Sequence, residues 1–215
     1  GHGTLISFDI TPGGTRVWGT WTGGSNESSI AYSDDWGSTW TLSSANIVNV
    51  SALGTRVLVD IACHPTDANK IVAVCRDLTN KLHWMWSIDG GSSWHTTQAN
   101  SSVNSLLVEN ATIRWTVDSA VLCAGLAGGG VAYIVKSTDV SVGPAVEKAA
   151  YGAANNRQMI DAGGDGTFFM LFDAIDLPLP LKRSNDFGDT WSDVGLPSGW
   201  APTTDDGSIA YDEVN

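Results

Sequence analysis

The stretch SDDWGSTW, Ser33–Trp40, recurs almost verbatim along the chain. It returns as SIDGGSSW at Ser87–Trp94 and as SNDFGDTW at Ser184–Trp191. The copies share the pattern S-x-D-x-G-x-[ST]-W, and a degraded copy at Ser137–Asp139 lacks the Gly and the Trp at their proper places. The motif Asp positions are 35, 89, 139 and 186, so their spacing indicates an internal repeat of about 50 residues.

Two further sets of positions follow the same period. One set has an acid directly after an apolar residue, and comprises Asp9, Asp60, Glu109, Asp161 and Asp212. The other precedes the motif Asp by 14 to 16 residues, and comprises Trp21, Cys75, Cys123 and Phe172. The three sets together predict repeats at 4–54, 55–104, 105–156 and 157–207, with a partial fifth at 208–215. Residues 1–3, Gly-His-Gly, are interpreted as the remnant of an expression tag.

Each part of the motif has a local structural role. The Asp is expected to bond a backbone N–H two residues on, the Gly to supply a positive φ, and the Thr or Ser to begin the next strand. The Trp is expected to bury its ring between neighbouring sheets. The residues given this structural role are Ser33, Asp35, Gly37, Thr39, Trp40, Ser87, Asp89, Gly91, Ser93, Trp94, Ser184, Asp186, Gly188, Thr190 and Trp191.

The second repeat predicts four short strands, at Arg56–Ala62, Ile71–Cys75, Lys81–Ser87 and Trp94–Gln98. Four strands in about 50 residues is the size of a propeller blade. We therefore predict an all-β chain, with residues 4–215 forming one β-propeller of four to five blades, each a four-stranded antiparallel sheet. Three closures remain open: a compact ring, part of a longer protein, or a ring completed by a second copy through the unpaired terminal repeat.

The three motif copies resemble Asp-boxes, also called BNR repeats, which lie on the turn between the third and fourth strands of propeller blades. Asp60–Pro65 also resembles the D-x-x-x-H-P turn of xyloglucanase and sortilin-like propellers. The resemblance covers nearly the whole chain as a fold. It implies little about activity, because Asp-boxes occur in sialidases, glucan-degrading enzymes, sorting receptors, assembly factors and phage proteins.

Composition limits the kinds of partner that the chain is expected to bind. The formal net charge is -12, which disfavours nucleic acid and anionic membrane surfaces. The longest apolar runs, such as Val57–Ala62 and Phe168–Phe172, are the length of a strand. The three cysteines are too few for a disulfide framework and are expected to be buried free thiols. A location outside the cell or in a phage particle is favoured over the cytoplasm.

No catalytic residue is assigned. A sialidase needs an arginine triad, and the six arginines of this chain do not form an obvious cluster. The recurring acids Asp9, Asp60, Glu109, Asp161 and Asp212 are candidates for a central acidic ring that holds a cation or supplies glycosidase carboxylates. The alternative is that each acid ends its strand by bonding turn amides. His64, His83 and His95 fall at three different places of one repeat, so no metal site and no cofactor are predicted.

Aromatic residues are the better lead for binding. Trp36 and Phe187 occupy the variable fourth position of the motif, at the tip of the turn, and Trp200 lies in a loop without a strand pattern. Exposed aromatics stack on sugar rings or anchor protein interfaces. The alternative is that all three pack against a neighbouring sheet.

Three functions follow from these features. The preferred one is a non-catalytic recognition or structural module that binds a glycan or a protein through loops and exposed aromatics. The second is a glycoside hydrolase acting on a β-glucan, with two carboxylates across a groove. The third is an intracellular assembly scaffold, which is compatible with free thiols.

Overall fold

The computed structural model describes ten segments: residues 4–22, 28–43, 57–76, 82–98, 108–126, 132–142, 146–151, 158–162, 166–172 and 181–195. The described residues form sixteen β-strands in four antiparallel sheets of four strands each, and no helix occurs among them. The prediction of an all-β chain with four-stranded antiparallel sheets is confirmed. The described segments therefore contain no helical membrane span.

Two compact units divide the chain, and each contains two sheets. The first unit contains the first and second sheets together with residues 139–142, and the second unit contains the third and fourth sheets. Every sheet is a meander, because strands adjacent in sequence are hydrogen-bonded neighbours. A sheet therefore needs only short turns between its strands.

The strands of the first unit fall into two sheets of four. The first sheet is built from β1 (Thr4–Ile10), β2 (Val17–Thr22), β3 (Ser28–Ser33) and β4 (Thr41–Leu42). The second sheet is built from β5 (Val57–Cys63), β6 (Ile71–Arg76), β7 (Leu82–Ser87) and β8 (His95–Gln98). The strands predicted for the second repeat agree with the described bounds within one residue at each end.

The strands of the second unit are arranged in the same way. The third sheet is built from β9 (Val108–Trp115), β10 (Ala120–Leu126), β11 (Ala132–Ser137) and β12 (Val146–Tyr151). The fourth sheet is built from β13 (Gln158–Ala162), β14 (Phe168–Phe172), β15 (Leu181–Ser184) and β16 (Ser192–Asp193). Trp21, Cys75, Cys123 and Phe172 all lie on the second strand of their sheets, as their shared spacing indicates.

The core of the first unit lies between its two sheets. Trp18 on β2 meets Trp94 edge to face, with ring centroids 5.6 Å apart, and both rings are fully buried. Gly91 lies directly against Trp18, because an added Cβ at Gly91 would come within 2.1 Å of the Trp18 ring. Cys63 and Cys75 are buried thiols, as expected. The motif therefore supplies both the aromatic ring and the glycine that lets a second ring approach.

The recurring acids lie inside their strands rather than at the ends. Asp9, Asp60 and Asp161 are internal to β1, β5 and β13, and Glu109 is the second residue of β9. For these four acids, the alternative that each one ends its strand is therefore wrong. Asp9 and Asp60 accept from strand amides, and Asp161 pairs with Arg114 on β9, so these three acids do not mark the turns.

Candidate functional site

The three motif turns, residues 33–40, 87–94 and 184–191, share one hydrogen-bond network. In the first turn, the Ser33 hydroxyl donates to Asp35 Oδ1 at 2.7 Å and accepts from the amide of Gly37 at 2.8 Å. Asp35 in turn accepts from the Thr39 amide at 2.7 Å and the Thr39 hydroxyl at 2.6 Å. The same bonds recur in the other two turns. Each turn is thus closed by its own side chains.

This network differs from the expected one in two respects. The carboxylate of Asp35 bonds the residue four positions on, and it is Ser33 that accepts from the amide two positions on. The motif Thr or Ser also precedes the next strand, because β4 begins at Thr41 and β8 at His95. The prediction named the right residues. However, the bond from an amide two positions on is accepted by the motif serine and not by the motif aspartate.

The hydrogen bonds hold the motif carboxylates in the charged state. Donation from the hydroxyl and amide of Thr39 lowers the pKa of Asp35 to about 2. Donation from Ser93 lowers the pKa of Asp89 to about 2. At Asp186, loss of water contact raises the pKa, but the bonds from Thr190, Ser184 and the Asp189 amide together outweigh it and the pKa is again about 2. Hydrogen bonds to the charged form are what favour it.

Two consecutive residues of each turn have left-handed backbone conformation. The glycine at the fifth position has a φ of 87° at Gly37, 83° at Gly91 and 82° at Gly188, so the predicted positive φ is confirmed. The preceding residue is also left-handed. It is Gly90 in the second turn, but Trp36 in the first, with a φ of 57°, and Phe187 in the third, with a φ of 54°. A bulky residue with positive φ is unfavourable and calls for an explanation.

The motif tryptophans do not share one environment. Trp94 is fully buried, and its indole N–H donates to Ser43 Oγ at 3.0 Å. Trp40 and Trp191 are half-buried, and each donates instead to the carbonyl of its own motif glycine at 3.1 Å. Burial between two sheets, which was expected for all three, is therefore described for Trp94.

The degraded copy forms a different turn. Asp139 Oδ1 accepts from the amide of Ser141, two residues on, at 2.9 Å. Its pKa is lowered, first by the hydroxyl of Ser141. Without the glycine, the described residues here contain no positive φ. Among the described copies, the intact ones are those in which the Asp carboxylate accepts from the residue four positions on.

An ion pair and an exposed ring lie beside the first motif turn. The Arg16 guanidinium binds Asp34 through two bonds, from Nε at 2.7 Å and from Nη2 at 3.0 Å. The guanidinium carbon Cζ lies 3.9 Å from the centre of the Tyr32 ring, so the guanidinium stacks on that ring. The bond from Arg16 lowers the pKa of Asp34, and Asp34 raises that of Arg16. Both groups are therefore charged at neutral pH.

Trp36 lies two residues beyond Asp34, and its six-membered ring contacts the turn between β1 and β2. An added Cβ at Gly14 would lie 3.4 Å from the Trp36 ring. Gly14 is two residues before Arg16, and Asp34 is two residues before Trp36, so the backbone positions of the ring contact and of the ion pair lie within about 8 Å of each other along each turn. We call Gly14, Arg16, Asp34 and Trp36 the Trp36 cluster. Trp36 is 70% exposed and the Asp34 side chain 56%.

The other two candidate aromatics are placed differently. Phe187 is half-buried, and its ring lies so close to Gly166 that an added Cβ there would come within 2.6 Å. Its amide donates to the Gly166 carbonyl at 3.0 Å, and its carbonyl accepts from Ser119. Trp200 lies outside the described residues. Of the three, Trp36 offers a described and open ring face.

The recurring acids are used as links within each unit. Asp9 accepts from the amides of Ile10 at 2.8 Å and Cys63 at 2.7 Å, and so joins β1 to β5. Asp60 accepts from the Ile61 amide at 2.9 Å and is also bonded by Ser7. Asp161 pairs with Arg114 at 3.2 Å. The Glu109 side chain and Asp212 lie outside what the structure describes, so a ring of all five stays a prediction.

Sequence reasoning missed the ion pair of the Trp36 cluster. In the sequence, Arg16 is one of six arginines that form no obvious cluster, and Asp34 fills a variable position of the motif. The available signal was the second motif position, which is Asp34 in the first copy but Ile88 and Asn185 in the others. No group of His, Cys, Asp and Glu among the described residues is arranged to hold a metal ion.

Solved structures of several proteins share this fold. A fungal lectin from Aleuria aurantia, described as a six-bladed β-propeller that recognises fucose, matches 93% of the chain with a TM-score of 0.54 and 16% identity. Sialidase NanB from Streptococcus pneumoniae matches 80% with a TM-score of 0.55 and 19% identity. YCF48 from Cyanidioschyzon merolae matches 92% with a TM-score of 0.56 and 12% identity. The chain therefore has a β-propeller-like fold.

The same comparisons set limits on what is shared. The chain spans 65% of the lectin, 58% of YCF48 and 28% of the sialidase. No protein-family model and no curated protein sequence matches it. At these identities the similarity defines the fold, and function must be argued from the site.

Proposed function

We propose that this chain is a non-catalytic recognition module of the Asp-box propeller type, which binds a glycan through the Trp36 cluster. A large aromatic side chain with one open face next to a fixed hydrogen-bonding pair is the combination that recognises a sugar ring. The similarity to lectins and sialidases is compatible with a carbohydrate ligand.

The observation that carries the proposal is the conformational free-energy cost of a tryptophan at position 36. Its left-handed backbone costs about 1 kcal/mol or more relative to glycine. The second turn has Gly90 at this position and makes the same hydrogen bonds without that cost. Because most of the Trp36 ring is exposed, burial does not offset the strain. Backbone strain that no burial compensates is what a ligand-binding residue is expected to show.

A hydrolase acting on a β-glucan is the second candidate, and the fold similarity to a sialidase is compatible with it. The carboxylates described near the Trp36 cluster do not favour it. Asp35 is saturated by turn hydrogen bonds and Asp34 is held by Arg16, so both are ionised. A glycosidase needs one carboxyl group that stays protonated as the general acid.

The test compares glycan binding by the wild type, Trp36→Ala and Leu42→Ala. Leu42 is 64% exposed on the same sheet, and its pairing with Ala31 places it on the opposite face from Tyr32. On a glycan array followed by calorimetry, we expect Trp36→Ala to lose about tenfold or more in affinity, and Leu42→Ala to bind normally.

Equal binding by wild type and Trp36→Ala would contradict the proposal. A hydrolysis screen on β-glucans covers the alternative. Turnover that disappears when one acid is changed would establish the hydrolase instead.

A further inference from the structure

We infer that the Trp36 cluster selects neutral sugars over acidic ones, with two adjacent hydroxyls of one ring bridging Asp34 and Arg16. This inference rests on the proposed glycan-binding function and specifies the class of ligand. It follows from the charges and hydrogen-bonding capacity of the cluster.

The pair of Arg16 and Asp34 retains hydrogen-bonding capacity. The two bonds between Arg16 and Asp34 use one hydrogen on Nε and one on Nη2. A guanidinium has five N–H groups and a carboxylate about four acceptor sites, so an exposed pair of this kind can still donate and accept. One sugar hydroxyl can donate to Asp34 while its neighbour accepts from Arg16. The exposed Trp36 ring, two residues along the chain from Asp34, supplies the apolar surface for the sugar face.

Three charged groups, Arg16, Asp34 and Asp35, lie on or next to the first motif turn. Arg16 is neutralised by Asp34, and Asp35 carries a further negative charge with a pKa of about 2. The local sum over these three groups is therefore negative, and the net charge of the whole chain is -12. A sugar carboxylate placed on the ring would be repelled by this field. A neutral ring experiences no such penalty.

The side chains of Arg16 and Asp34 are held in place by their neighbours. Asp34 is held by two bonds, and Arg16 is stacked on Tyr32, which itself contacts the buried Trp18 ring with centroids 5.2 Å apart. Arg16 therefore cannot turn its Nε and Nη2 edge to a ligand carboxylate without giving up both bonds to Asp34. Its charge is already paired, and its remaining N–H groups are held in place to donate to a sugar hydroxyl.

The experiment measures binding of matched probe pairs: lactose and N-acetyllactosamine with their sialylated forms, and oligogalactans with oligogalacturonates. We expect each acidic probe to bind about three- to tenfold more weakly than its neutral partner. The difference should shrink at high salt, because exposed charges are screened. Neutral binding should change little with salt.

Two charge variants locate the effect. Asp34→Asn removes the carboxylate and frees Arg16, so the preference for neutral probes should disappear or reverse. Asp67→Asn is the matched control, because Asp67 is a partly exposed acid that pairs with Lys70 on another turn of the first unit. It changes the net charge equally and should keep the preference. An equal effect of both variants would show that net charge alone decides, and would overturn the inference.

The outcomes separate this inference from the proposed function. Tight binding of acidic probes that is lost in Trp36→Ala would overturn the neutral selectivity and leave glycan recognition standing. Absence of binding to any probe, neutral or acidic, would overturn both.

Discussion

The first and the last motif turns are chemically almost the same, yet their tip aromatics have different surroundings. Both turns close with the same serine, aspartate and threonine bonds, and both place an aromatic residue at a φ between 54° and 57°. Phe187 is packed on Gly166 and bonded through its backbone to two other segments. Trp36 touches Gly14 loosely and is mostly exposed.

The difference shows that the turn network and the role of its tip are separable. The network fixes the backbone, and so presents whatever side chain occupies the fourth position. The turn between the first two strands of the same sheet then determines whether that side chain is packed or exposed. In the last turn, neighbouring residues cover the Phe187 ring. In the first turn, they leave the Trp36 ring exposed, two residues along the chain from Asp34 of the ion pair.

The largest expected difference comes from adding a methyl group under each aromatic. Gly166→Ala places a Cβ 2.6 Å from the Phe187 ring at a φ of 87°, so the ring must move and the backbone is strained. We expect a loss of about 2–4 kcal/mol of unfolding free energy. Gly14→Ala has the same kind of backbone at a φ of 66° but a 3.4 Å contact, and should lose about 1 kcal/mol.

Urea unfolding monitored by tryptophan fluorescence measures both variants. Gly195→Ala serves as a control, since an added Cβ there meets nothing within 4 Å and the φ is not left-handed. If Gly14→Ala proved as costly as Gly166→Ala, the Trp36 ring would be as tightly packed as that of Phe187, and the contrast between the turns would fail.

The second difference is how each turn is anchored at its sixth position. In the last turn this residue is Asp189, which binds Lys136 at 3.0 Å and also pairs with Lys148. Lys136 is only 6% exposed and retains Asp118 at 3.4 Å as a second partner. In the first turn the residue is Ser38, which is exposed.

Exchanging the residue tests this anchor. Asp189→Ser should cost about 1–2 kcal/mol, because Lys136 stays buried with one partner fewer. Ser38→Ala should change stability by less than about 0.5 kcal/mol. Chemical unfolding at moderate salt measures both. A neutral Asp189→Ser would mean that Asp118 alone satisfies Lys136.

Sequence reasoning reached the sheets and the turn residues because both repeat. The Asp spacing and the set containing Trp21 and Cys75 located four-stranded units, since a regular meander leaves a periodic pattern. It did not reach the pair of Arg16 and Asp34, because a single contact between two turns has no period. For the same reason it could not foresee that Trp36 and Phe187, at equivalent positions, would differ in exposure.

The third difference concerns the sign of a stability change. Trp36→Gly removes the strain of a left-handed aromatic and little burial, so stability should rise by about 0.5–1 kcal/mol while glycan binding is lost. Phe187→Gly removes the same strain together with the ring on Gly166, and should be neutral or destabilising by about 1 kcal/mol. Thermal unfolding of the two variants side by side measures the signs. A Trp36→Gly variant less stable than the wild type would show that the ring is structural.

The smallest expected difference lies in the response to acid, where the two turns should agree. Asp35 and Asp186 both have a pKa of about 2, below the ordinary value of 3.8, so the folded state binds fewer protons than the unfolded one. Their contribution to stability is therefore complete above pH 4 and is lost as the pH falls toward 2. Asp35→Asn and Asp186→Asn should each flatten this acid limb to the same extent, measured by urea unfolding from pH 5 to pH 2. Thr39→Val and Thr190→Val are the controls, because each removes a hydroxyl donor, leaves the carboxylate in place and should raise its pKa. Unequal flattening would mean that the turn networks themselves differ, and the contrast between Trp36 and Phe187 could no longer be assigned to the residues around their rings.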